Sequence, residues 1–286
     1  MNQAGVRGRS GLLPRVFMLG VLIYVAIPLI WLVIAATKSN SDLFQTFGFW
    51  FADFKLFDNL ANLFAQDDGV YTTWIWNTLI YATAASVGST LIATLAGYAF
   101  AVYRFTGKRV LYAIVLGSVF VPTTVLAVPL YFMLSQSGLS NTLLAIILPA
   151  LVNPFGVFLM RVFAEASIPS ELLDAARVDG AGELRTFARI SFRLLVPGVI
   201  TVLLFAFVGA WNNFFLPVLI LSRDDLYPVT VGLANWSALA TQPGNIQTLY
   251  AIVVTGSLVA IVPIMIMFLL LQRYWQQGLS LGSIRG

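Results

Sequence analysis

The chain is 286 residues long, 59% hydrophobic and only 10% charged, with a mean hydropathy of +0.88 and a formal net charge of +4. Soluble domains carry about 25% charged residues, so a water-facing globule is excluded and an integral membrane protein is indicated. There is no Cys and no His, which removes disulfides, thiolate metal sites, and the commonest general base and metal ligand.

Six uncharged runs follow one another along the chain: Val16–Ala36, Leu79–Val102, Val110–Leu134, Leu143–Met160, Val196–Leu221 and Ile246–Leu271. A spanning helix takes about 20 apolar residues. The fourth run is short and reaches that length by taking in Asn141 and Thr142. The runs are continuous and do not alternate, so the predicted class is an all-α polytopic membrane protein with six transmembrane helices. The first run follows a basic N-terminus (residues 1–15), and Val33-Ile34-Ala35 resembles a leader cleavage site. Its uncharged length exceeds the apolar core of about 7–15 residues in a secretory leader, so a retained helix is predicted. Residues 37–76 are aromatic-rich, with Phe44, Phe47, Phe49, Trp50, Phe51, Phe54 and Phe57, and Tyr71, Trp74 and Trp76 lead into the second run. They read as an interfacial helix and aromatic belt. A connection at residues 222–245, with Pro228, Pro243 and Gly244, is long enough to reach a partner.

Lys and Arg set the orientation. With the N-terminus inside, 13 of the 16 fall on the inner side, and only Lys38, Lys55 and Arg223 lie outside. Both termini are therefore predicted to be cytoplasmic. The positive charge is a topology signal, and no nucleic-acid partner is expected.

No Asp, Glu, Lys or Arg lies within the six runs. Proton-coupled carriers and voltage sensors usually place ionisable groups at membrane depth, so any driving energy is expected to enter elsewhere. Sodium coupling through carbonyls and hydroxyls stays open. Prolines 28, 122, 129, 149, 154, 197, 217 and 263 lie in or beside the runs. They read either as bends that let helices rock or as the ordinary enrichment of Pro in membrane helices. Ala82, Ser86, Ser89, Ala93 and Gly97 share one helix face and mark close packing, against this chain or a partner subunit. Asn153, Trp211, Asn212 and Asn213 are the polar candidates for a pathway. Aromatic beside amide suits a sugar ring, and interhelical hydrogen bonding accounts for the same residues.

Charge concentrates at residues 165–195. Pro169, Ser170 and Glu171 read as a helix start, with the helix running to about Asp179. Gly180-Ala181-Gly182 breaks it, and a second helix begins near Glu183. Ala175 and Ala176 leave the first helix thin enough for a narrow cleft, with Asp174 and Arg177 able to make charge-assisted contacts. A coupling element and an amphipathic helix lying on lipid both fit.

Asp174-Ala-Ala-Arg-Val-Asp-Gly-Ala181, then Phe187-Ala-Arg-Ile190 and Pro197, resembles the EAA loop of ABC importer permeases. The family pattern is Glu-Ala-Ala-x-x-Asp-Gly-Ala, then Phe-x-x-Ile-x-Leu-Pro. Gly97-Tyr-Ala-Phe-Ala101, Pro129-Leu-Tyr131, Gly138-Leu-Ser-Asn-Thr142, Trp211-Asn-Asn-Phe214 with Pro217, Gln272-Arg-Tyr274 and Gly278-Leu-Ser280 are similar to its carbohydrate-importer, MalG-like branch. Asp174 stands where the family has Glu, and Arg193 where it has Pro.

The resemblance implies a type I ABC importer permease fold in a prokaryotic inner membrane, with a permease core at residues 77–271 and a cytoplasmic tail at 272–286. It implies a coupling helix that enters a cleft of a cytoplasmic ATP-binding subunit through Glu171, Asp174, Ala175, Ala176, Asp179, Gly180, Ala181 and Gly182. The tail, with Gly278, Leu279, Ser280 and Gly282, is implied to approach the same subunit. A second, MalF-like permease subunit and an extracytoplasmic sugar-binding protein are the other implied partners, with ATP and Mg held by the ATPase subunits. The chain has no nucleotide-binding motif of its own, since Gly107-Lys108 lacks both the upstream Gly and the following Ser or Thr. No catalytic or metal-binding residue is expected. A self-contained secondary carrier or channel, and a non-transporting scaffold or receptor subunit, are the alternatives.

Overall fold

The computed structural model describes residues 12–242 and 246–281, and no strand occurs among them. Two compact units arise, Met1–Gly69 with Leu233–Ala260, and Val70–Gly232 with Ile261–Gly286.

In the first unit, α1 (Leu12–Ala36) leaves Val16, Leu19, Leu22 and Ile23 more than half exposed, as a lipid-facing helix does. Only its last turn, Ile34–Ala36, is buried. Lys38 follows, fully buried, and its ammonium donates to Thr46 Oγ1 and the Phe47 carbonyl, both at 2.9 Å. Such partners are what a buried charge requires. α2 (Asn40–Gln45) and α3 (Leu56–Ala65) complete the outer part of this unit. Asn59 on α3 donates to the Ala36 and Lys38 carbonyls, each at 2.9 Å. Phe44, Phe47, Trp50, Phe51, Phe54 and Phe57 form an exposed aromatic surface. Tyr71 and Trp74, expected in the same belt, are instead buried within the second unit.

The second unit is built on α4 (Val70–Val102), which starts at Val70 rather than Leu79. Its stripe of Ala82, Ser86, Ser89 and Ala93 is buried, and it packs against α8 (Pro154–Ser167) and α11 (Phe192–Trp211) of the same chain. A Cβ on Gly97 would stand 2.6 Å from Met160 Cβ and 2.7 Å from the Arg161 nitrogen, so only Gly lets these backbones approach. In a bilayer that close packing, rather than the hydrophobic effect, is what joins helices. The hydroxyls of Thr78, Ser86, Ser89 and Thr94 return to carbonyls of α4 itself, which keeps the polar atoms satisfied at depth.

Three of the runs predicted as continuous are broken. Val110–Leu134 becomes α5 (Lys108–Val119) and α6 (Thr123–Gln136), bent by 104°. Pro122 disfavours a helical Val121 and starts the new helix. Leu143–Met160 becomes α7 (Leu143–Ala150) and α8, with Asn153 as the cap and Pro154 in the first position. Val196–Leu221 ends as a helix at Trp211 and resumes as α12 (Phe215–Ile220). Pro217 cannot donate to the Asn213 carbonyl and clashes with it, and Thr230 Oγ1 donates to that carbonyl instead, at 2.8 Å.

Between α8 and α11 the chain forms α9 (Ser170–Val178) and α10 (Glu183–Thr186). The predicted connection at 222–245 is largely helical, as α13 (Val229–Ala240). α14 (Ile246–Leu281) carries the helix well into the predicted tail. Among the described residues, five stretches are long and apolar enough to cross a membrane, or six when the bent α5–α6 pair is taken as one span.

Candidate functional site

The charged segment after α8 is shaped by local chemistry. Pro169 holds Ile168 in an extended conformation (φ −113°, ψ 102°), which ends α8. α9 then carries Glu171 in its first turn and Arg177 in its last, each complementing the helix dipole. It ends where Ala181 N–H donates to the Ala176 carbonyl and Gly180 N–H to the Arg177 carbonyl, at 2.9 and 3.0 Å. This paired C-terminal closure needs a left-handed residue at its pivot, and Gly180 supplies φ +76°. α10 starts at Glu183 and passes through a π-helical turn, Phe187–Ser191, into α11. That turn wraps Tyr98 of α4, whose ring lies 4.9 Å from Phe187 and whose hydroxyl is 3.4 Å from Ser191 Oγ.

Side chains bridge this turn on its surface. Arg177 donates to Asp174 Oδ1 and to Glu183 Oε1, both at 3.1 Å, and Tyr103 donates its phenol to Glu183 Oε2 at 3.0 Å. The Glu183 bond holds the Arg177 guanidinium above its usual range. Burial, then the Glu183 carboxylate, pushes the Tyr103 phenol up.

The two faces of α9 differ. Leu173 and Ala176 are buried inside the chain, while Glu171, Asp174, Ala175 and Asp179 are exposed. Ala176, predicted as a partner contact, therefore packs internally, and the thinness that Ala confers serves this chain's own packing there. Gly180 and Gly182 are exposed and Ala181 half-buried. Two apolar residues flank the turn with little cover, Val178 at 88% and Leu184 at 81% exposure. They escaped the sequence reading, as did the bracing role of Tyr103 and Glu183. The signal for Val178 and Leu184 was an apolar side chain at each end of a charged, glycine-broken turn. Of the predicted tail contacts, Gly278, Leu279 and Ser280 fall in the last turns of α14 and only their backbone is described, while Gly282 lies outside the described residues.

The candidate pathway residues are largely engaged within the fold. Asn153 Oδ1 accepts the Gly156 N–H at 2.8 Å as the cap of α8. Trp211 is buried and stacks on Phe207 with ring centroids 5.7 Å apart. Asn212 donates to the Val208 carbonyl but remains exposed, and Asn213 is half-buried. Among the described residues no group of His, Cys, Asp or Glu could hold a metal ion.

At the other end of α4 a second set of bonds runs to the segment before α13. Trp74 Nε1 donates to the Asp224 carbonyl at 2.8 Å, Asn77 Nδ2 to the Asp225 and Tyr227 carbonyls at 2.8 and 3.1 Å, and Tyr81 to the Leu226 carbonyl at 2.7 Å. Thr78 Oγ1 accepts the Val229 N–H at 2.7 Å. The Arg223 and Asp225 side chains pair with each other on the exposed surface.

Residues 89–280 match the profile of the family described as "Binding-protein-dependent transport system inner membrane component". The chain belongs to this family. It is a multi-pass membrane permease component, and the loop and the α4–α8–α11 bundle fall within or extend into the matched region. The permease is 35% identical over 262 residues to the arabinooligosaccharides transport system permease protein AraQ of Halalkalibacterium halodurans, covering 91% of each chain. It is 32% identical over 261 residues to the lactose transport system permease protein LacG of Rhizobium radiobacter, covering 90% of each. Its fold is that of a chain in a bacterial ABC transporter involved in import of the acidic polysaccharide alginate (TM-score 0.78, 22% identity, 92% of this chain and 95% of that one).

Proposed function

We propose that this permease is one of two membrane subunits of an ATP-driven, binding-protein-dependent sugar importer, working by alternating access. Sugar is the proposed cargo because its relatives are permeases named for arabinooligosaccharide and lactose transport. The termini and the α9–α10 turn face the cytoplasm, in keeping with the bias of Lys and Arg. The turn enters a cleft of a cytoplasmic ATP-binding subunit, where ATP and Mg are held. The segment at residues 222–229 faces an extracytoplasmic sugar-binding protein, and a second permease subunit completes the pathway.

One observation carries this reading. The α9–α10 turn is closed at its glycine and bridged on its surface by the Tyr103–Glu183–Arg177–Asp174 chain. It also presents Asp174, Ala175, Val178, Asp179 and Leu184 outward. A defined turn with an exposed knuckle of apolar and charged side chains is what a docking contact needs.

The test is reconstitution with ATP-binding subunits, a second permease and a sugar-loaded binding protein. Asp174→Lys, at a side chain 71% exposed, is expected to abolish ATP-dependent uptake while the permease still inserts into the membrane. Uptake at the wild-type rate in that variant, or uptake by this chain alone without an ATPase, would overturn the proposal.

A further inference from the structure

α4 stands apart from the other long helices. Its 33 residues contain no proline, whereas α1, α11 and α14 carry Pro28, Pro197 and Pro263 within them. Prolines are where long helices bend. At 1.5 Å per residue α4 is about 50 Å long, against a hydrocarbon core of about 30 Å, so its ends emerge on opposite sides of the bilayer. Long-range side-chain hydrogen bonds gather at both ends. Trp74, Asn77, Thr78 and Tyr81 share one face and bind the backbone of residues 224–229. Just past the other end, Tyr103 continues the helical bonding to the Ala99 carbonyl and reaches Glu183 beyond the Gly180 turn. Between the two ends, the small-residue stripe seats α4 on α8 with no room at Gly97.

An unbroken helix gripped at both ends cannot turn or slide at one end alone. The π-helical turn between α10 and α11 offers no such rigid route, since it departs from the regular helix where the loop joins that span. We propose that α4 ties the 222–229 segment on one side of the membrane to the α9–α10 turn on the other. Asn77 and Tyr81 are the positioning residues at one end, and Tyr103, with Glu183 as its acceptor, is the positioning residue at the other. Each sets where another segment lies. In the proposed importer, which this inference rests on, α4 carries the state of the docked binding protein to the ATP-binding subunit.

The measurement is ATP hydrolysis by the assembled complex in nanodiscs, with and without sugar-loaded binding protein. Tyr81→Phe and Tyr103→Phe each remove one hydroxyl and little volume. Each is expected to lower the stimulation by about fivefold or more, and Tyr81→Phe, remote from the α9–α10 turn, is expected to do so with basal hydrolysis unchanged. The double variant is expected to be no worse than the poorer single one, because one connection is cut twice. Glu183→Gln, which still accepts from Tyr103, is expected to keep most of the stimulation. Full stimulation in either Phe variant, or losses that multiply in the double, would overturn the inference while the proposed function stands. A wild-type complex that the binding protein does not stimulate would remove both.

Discussion

At the Val70 end of α4, side chains with little exposure bond to backbone carbonyls of residues 224–227; at the Val102 end, more exposed side chains bond to one another. The two ends are held by different chemistries. Trp74, Asn77 and Tyr81 are themselves buried, so a donor there that loses its carbonyl has little water to replace it, and the cost is about 1–3 kcal/mol. Exposed ion pairs are screened by water and salt and re-form in other geometries. The first arrangement fixes the path of a segment whatever its side chains are. The second suits a turn that has to shift with a moving partner.

The largest expected effect comes from breaking the fixed end. A Cβ on Gly232 would fall on the Trp74 ring, so Gly232→Val has to push the indole away from the Asp224 carbonyl. Overpacking and a lost buried bond together cost about 2–5 kcal/mol. The check is a lowered thermal unfolding midpoint in detergent, with a changed tryptophan emission. Asn77→Leu is the next step down. It leaves the helix face filled but strips the donor from the Asp225 and Tyr227 carbonyls, and a loss of about 1 kcal/mol is expected by the same denaturation. An unchanged midpoint in both variants would show that the segment is held by something other than α4.

The sequence made the α9–α10 turn readable because its chemistry is local. A helix start at Pro169 and a glycine where the left-handed pivot falls can be recognised without knowing the fold. The clamp at Asn77 and Tyr81 could not be read, since its acceptors are backbone carbonyls some 145 residues away, and every residue type has one. The breaks at Val121–Pro122 and Asn213–Pro217 were present as prolines. Counting uncharged residues measures how far a run could reach and says nothing of whether its hydrogen-bond ladder continues. Trp211 and Ala176 each read two ways for a related reason. An indole beside amides, or an alanine in a charged helix, looks the same whether it meets a partner or its own chain, and burial decides between them.

The smallest expected effect sharpens the comparison at a single residue. Asp225 contributes twice to the segment: its carbonyl accepts from Asn77, and its carboxylate pairs with Arg223. The Arg223 hydrogen bond holds that carboxyl below the usual range. A group lowered in this way favours the folded state above the ordinary carboxylate pKa of about 3.9, and the contribution fades as the pH falls through the lowered value. The pair lies fully in solvent, however, where screening removes most of its effect. Asp225→Asn is therefore expected to leave the unfolding midpoint unchanged at neutral pH and to shift it no differently on acidification, although it removes the whole ion pair. Asn77→Leu, which touches only the backbone of the same residue and of Tyr227, is expected to lower it. If the Asn substitution proved the more damaging of the two, the segment would be held by its surface charges, and the grip assigned to α4 at this end would fail.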